Sequence, residues 1–178
     1  MPVFINREMK KISFRNDVLP LKNKLFRLAL RITLNREEAE DIVQDTLIKI
    51  WTQKDEWENI NSLESFSLTI CRNMALDRME KKENQNIALD EDIHDSADIS
   101  YSPDEELIRS ERYSIVNKLV GELPEKQRSV LQLRDVEGKN YKEIADIMQI
   151  SEADVKVTLF RARQKIKEQF NKFDNYGL

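Results

Sequence analysis

The stretch YKEIADIMQISEADVKVTLFRARQKIK, residues 141–167, decides the reading of this chain. It divides into two helices joined by a tight turn. Asn140 stands at an N-cap position with Glu143 three residues on, and Ile144, Ile147 and Met148 follow at helical spacing. Gln149 and Ile150 make the turn. Ser151 and Asp154 open a second capping box, and Val155, Leu159, Ala162 and Ile166 form one apolar stripe. Off that stripe lie Lys156, Arg161, Arg163, Lys165 and Lys167, against one acid at the end, Glu168. A helix with an exposed first turn and a cationic flank meets what the DNA major groove and its phosphates require. The paired caps and short connection predict a helix-turn-helix; a basic amphipathic helix packed in a bundle is the competing reading.

Composition bounds the rest. At 178 residues the chain holds one medium domain or two small ones. Charged residues make up 35% and there are only 3 Gly, which favours long helices and excludes Gly-rich phosphate loops. The formal net charge is -4, but the acid is concentrated. Residues 87–106 hold Asp90, Glu91, Asp92, Asp95, Asp98, Asp104, Glu105 and Glu106 with no Lys or Arg, and removing those eight takes -4 to +4. Both flanks together are therefore basic, as a DNA binder needs.

The same strip divides the chain. Residues 84–106 lack sustained periodicity, and Ser102-Pro103 discourages helix across that point. Before it, three amphipathic helices are predicted. The first runs from about Val18 to Leu34 with Leu21, Leu25, Leu28 and Ile32 on one face. Asn35 caps the second with Glu38 as reciprocal partner, followed by Ala39, Val43, Leu47, Ile50 and Trp51. The third starts near Asn61 with Glu64 three residues on, and carries Leu63, Phe66, Ile70 and Met74. After the strip come a helix near 105–121 and another with Pro124 at its first position, using Val130, Leu131 and Leu133 and stopping at Gly138. The expected fold is all-α: two small helical domains, 14–83 and 107–173, joined by an acidic linker, 84–106.

Nothing in the sequence supports catalysis, a cofactor or a metal site. Cys71 is alone, so an intrachain disulfide is excluded and a small buried thiol is the default. The one histidine, His94, lies in the acidic strip, which leaves no partner set for a nucleophilic triad and favours solvated linker over a loose metal ligand. No segment approaches the roughly 20 apolar residues of a membrane span, and the N-terminus has no apolar run of signal length. A cytoplasmic location is expected.

The N-terminal half offers surfaces. Asp41, Gln44 and Asp45, with Ile48 beside them, make an acidic patch with an apolar spot, suited either to solvent or to a partner helix bearing Arg. The third helix adds Arg72, Asn73, Asp77 and Arg78 along one side. Asn73 suits an unstacked base. Trp57 and Phe66 flank the loop before it, as core by default or as the lining of a flipped-base pocket.

Taken in order, these pieces resemble the sigma-70 family. EAEDIVQDTLIKIW (38–51) resembles the helix with which its members dock on RNA polymerase, SFSLTICRNMALDRMEKK (65–82) their promoter-melting helix, and residues 123–167 their region 4. With regions 2 and 4 alone and a short linker between, the chain resembles the extracytoplasmic-function (ECF) group. The resemblance implies a non-enzymatic initiation factor that binds core RNA polymerase, at the β′ clamp helices and the β flap, and promoter DNA. An anti-sigma factor is an implied partner. It places Asp41, Gln44, Asp45, Leu47 and Ile48 against polymerase. Trp57, Asn61, Phe66, Arg72, Asn73, Asp77 and Arg78 fall at the −10 element. Ser151, Asp154, Lys156, Val157, Thr158, Phe160, Arg161 and Arg163 fall at the −35 element. The acidic linker would thread the polymerase cleft. Where many members have Trp this chain has Phe66, and Val157-Thr158 stands where Ser-Arg is common. Two other classes stay open from the residues alone: a helix-turn-helix regulator that binds duplex DNA without polymerase, and a helical adaptor with no nucleic-acid role.

Overall fold

The computed structural model describes residues 11–85 and 103–175, and every regular element among them is helical. Most of the acidic strip and His94 therefore lie outside the described residues. A π turn, Phe14–Val18, and a 3-10 turn, Leu19–Leu21, lead into α1, Lys22–Thr33. The first predicted helix thus starts later than Val18, because Pro20 holds the chain in the tighter turn. Leu25, Leu28, Ala29 and Ile32 of α1 are fully buried. The helix stops at Leu34, whose φ of 54° is left-handed while its N–H still reaches the Leu30 carbonyl at 2.8 Å. A leucine there is unusual, since its Cβ crowds the backbone.

α2, Arg36–Thr52, is capped by Asn35, whose Oδ1 accepts from the Glu38 N–H at 3.0 Å. The reciprocal half of that box does not form, because the Glu38 carboxylate turns to Lys82 and Arg78 on the neighbouring helix. That helix, α3, spans Leu63–Asn84 and is capped by Ser62 through the Ser65 N–H. Glu64 again departs from the local pattern, taking Lys24 at 2.8 Å and Lys139 at 2.9 Å. In both places a non-local cation wins over the helix's own N-terminus.

The C-terminal unit comprises α4, Pro103–Gly121, α5, Glu125–Leu131, a π turn, Gln132–Val136, α6, Tyr141–Met148, and α7, Glu152–Asn175. Pro124 stands one place before its expected position, as the N-cap of α5. Gly138 has φ +69°, which only glycine adopts without strain, and releases the chain into α6.

The two units are packed on one another, α1 against α5 and α3 against α6, and their buried side chains form one continuous cluster. Charged side chains stitch the seam, three arginines foremost. Arg27 grips Glu137 through two bonds of 2.8 and 2.9 Å, and that carboxylate is 1% exposed. Arg31 donates to Gln132 Oε1 at 3.0 Å and Asn117 Oδ1 at 2.7 Å. Buried Arg128 inserts its guanidinium between α1 and the start of α5.

Candidate nucleic-acid and partner surfaces

On α2, Asp41, Gln44, Asp45 and Ile48 are exposed, while Leu47 is half-buried against the core. Ile48 is 63% exposed, so the expected apolar spot beside the acids is real surface. The acids are not empty-handed. Arg78 reaches over from α3, with Nη1 at 3.2 Å from Glu38 and 3.6 Å from Asp41 and Nη2 at 3.0 Å from Asp45. Arg78, which the resemblance assigns to the −10 element, thus sits among the acids of α2. Burial pushes the Glu38 carboxyl up, but bonds from Lys82 and Arg78 outweigh it and hold it below the usual range.

Along α3, Asn73 and Asp77 are exposed, as is Asn61 just before it. Arg72 is not: its side chain is 12% exposed, its Nη2 lies 3.4 Å from both Glu125 oxygens, and its buried Nε has no hydrogen-bond partner among the described residues. Phe66 is half-buried on the core. Trp57 is 6% exposed and donates from Nε1 to the Ile50 carbonyl at 3.1 Å. That corrects its place in a base pocket, since the indole packs the α2–α3 junction. Cys71 of α3 is buried against α1, and burial pushes its thiol up to about 12.

In the C-terminal unit the capping box of α6 is complete: Asn140 Oδ1 accepts from the Glu143 N–H and Glu143 Oε2 from the Asn140 N–H, both at 2.8 Å. Gln149 turns the chain with φ 56°, and Ser151 Oγ accepts from the Asp154 N–H at 3.1 Å. Ser151, just before α7, is exposed, and α7 presents Asp154, Lys156, Val157, Phe160, Arg161 and Arg163 outward. Thr158 is corrected: at 9% exposure it lies beside Val155, Leu159 and Ala162 on the inward stripe, where it cannot reach a base edge. Lys156 Nζ is drawn over the Tyr141 ring, 5.4 Å from its centroid, and Arg134 shares that ring at 4.8 Å. Arg163 is paired with Asp135, whose hydrogen bond raises the guanidinium pKa further. Sequence reading missed Arg134 and Asp135, since neither stands in a motif.

A family model described as "Sigma-70 region 2" matches residues 18–85, and one described as "Sigma-70, region 4" matches residues 114–166. The chain belongs to the sigma-70 family. Among curated relatives, ECF RNA polymerase sigma factor SigM of Bacillus subtilis is 28% identical over 152 residues, 84% of this chain and 90% of the relative. SigW of the same organism is 24% identical over 184 residues, covering 95% and 98%. These relatives place the chain in the ECF group. Of solved structures, the sigma factor RpoE in complex with the anti-sigma factor NepR from Bartonella quintana superposes with a TM-score of 0.70 at 26% identity, over 89% of this chain and 96% of that one. CnrH in complex with the cytosolic domain of CnrY gives 0.61 at 19% identity, over 89% and 88%, a likeness of fold. Among the described residues no helix is long and apolar enough to cross a membrane, and no group of three His, Cys, Asp or Glu could hold a metal ion.

Proposed function

We propose that this chain is a non-enzymatic initiation factor acting in the cytoplasm. It binds core RNA polymerase through α2, captures the melted −10 strand beside Asn73, and grips −35 duplex with α7. The observation that carries the reading is the ordered pair: an exposed acid-and-isoleucine helix face in region 2 and a capped helix-turn-helix with a cationic rim in region 4, in one chain. The resemblance to a sigma factor bound to an anti-sigma factor supports an inhibitory protein as a further partner.

This function requires the two units to part. The −10 and −35 elements stand about 25 base pairs apart, about 85 Å at ~3.4 Å per pair. A compact chain of this length has a radius of gyration of about 16 Å, so units docked as here cannot reach both elements. The docked form is the resting state, and Arg72 is held by Glu125 until it opens. Core polymerase tethers both units and supplies the affinity that each lacks alone.

The direct test is co-purification of core RNA polymerase with the chain, followed by binding to promoter duplex. The reading expects DNA binding that depends on polymerase. Dimeric, polymerase-independent operator binding would identify a duplex regulator instead.

A further inference from the structure

Helix α7 turns about 100° per residue, which fixes what faces the groove once its core stripe is known. Val155, Leu159 and Ala162 are buried, at 0%, 3% and 0% exposure. Val157 lies about 200° round from Val155, almost directly opposite that stripe, with Ala153 one turn before it and Gln164 two turns after. All three are exposed, and Val157 shows 46% of its surface. Phe160 flanks the same row and is 68% exposed. The cations are at the sides: Lys156 and Arg163 on one flank, Arg161 on the other. Lys156 is held over the Tyr141 ring, and Arg163 is tied to Asp135.

Cationic rails on both flanks of a row whose first half is apolar match a duplex groove, with phosphates along the walls and base edges on the floor. The row's first half, Ala153 and Val157, has no side-chain hydrogen-bond donor or acceptor. It cannot read the guanine, adenine or cytosine groups of the major groove, which are all donors or acceptors. The one apolar group that groove presents is the thymine C5-methyl.

We propose that Val157 is the specificity-determining residue of the −35 contact, and that it reads the C5-methyl of a thymine. Lys156, the basic side chain next to it, serves the phosphate wall. The proposal rests on the −35 role of α7 given above, and adds which residue reads which atom.

The test uses the full chain with core polymerase and a −35 duplex enriched from a randomised pool. Each thymine in that duplex is replaced in turn by deoxyuridine, which removes the methyl and nothing else. At one position the replacement should weaken wild-type binding about fourfold, the worth of one buried methyl-sized group. Val157→Ala should bind the parent duplex about fourfold more weakly and be indifferent to uracil at that position. The exposed site makes the variant safe for folding, and its melting temperature checks this. Wild-type binding insensitive to uracil everywhere, an enriched duplex without thymine, or the same uracil loss in Val157→Ala would each overturn the proposal. The −35 reading would survive those results, since it fails separately, if the complex enriches no −35 sequence at all.

Discussion

Arg128 Nε donates to the main-chain carbonyl of Arg31 at 2.6 Å, so a guanidinium from one unit closes the C-terminal end of α1 in the other. Its Nη2 takes the Ile32 carbonyl at 3.0 Å and its Nη1 the Leu123 carbonyl at 2.5 Å. The last carbonyls of a helix have no partner within it and carry the negative end of its dipole, which makes them a natural seat for a cation. Burial lowers the pKa of Arg128, with Arg31 nearby adding to that effect and Glu125 opposing it. Arg128 thus works as a bolt between the units.

Arg128→Ala should destabilise the docked form by about 3 kcal/mol, because it strips charged donors from buried carbonyls. Small-angle scattering should then show a radius of gyration above the compact value of about 16 Å. Unchanged scattering with both units folded would mean the seam holds without its bolt.

The seam should also loosen in acid. Burial pushes the Glu64 carboxyl up, but Lys24 and Lys139 pull it down further, leaving it below the usual range. A depressed folded value gives stability that is present above the unfolded carboxylate value of about 4.3 and is lost as pH falls through the folded one. Denaturation midpoints should hold from pH 7 to about 5 and fall below about 4. Glu64→Gln should lower the neutral midpoint and flatten the acid limb; an acid limb identical to wild type would remove Glu64 from the account.

Asp41→Arg combined with Asp45→Arg should abolish binding to core polymerase, since reversing charge at close pairs costs several kcal/mol. Both side chains are more than half exposed, so circular dichroism should show unchanged helix content. Full polymerase binding by the folded double variant would move docking off this face.

Arg161 and Arg163 should behave differently from Val157. Replacing either by Ala should weaken promoter binding across sequences and lower its salt slope by about 0.9 per lost phosphate contact. Because Arg163 is already shared with Asp135, its loss should be the smaller. A sequence-selective loss in titrations over several −35 duplexes would count against phosphate anchoring.

The local signals were legible in the sequence. The Asn140–Glu143 box, the Ser151 cap and the apolar stripe of α7 depend on neighbours three or four residues away, and each is where spacing puts it. What misled was chemistry settled at long range. Glu38 and Glu64 have capping-box spacing, yet cations from α3, α1 and the loop before α6 claim them. Arg27, Arg31 and Arg128 look like solvated surface until the units meet, and nothing in periodicity tells a tethered pair of domains from a docked one. Trp57 and Thr158 carry site-like chemistry but face inward, which only packing decides.

Run-off transcription measures the central claim most directly. Core polymerase, purified chain and a promoter template enriched by their complex should yield a discrete transcript. Omitting the chain or introducing the Asp41→Arg, Asp45→Arg pair should abolish it. A transcript of equal strength without the chain, or none with it despite polymerase-independent binding to the same duplex, would contradict the account.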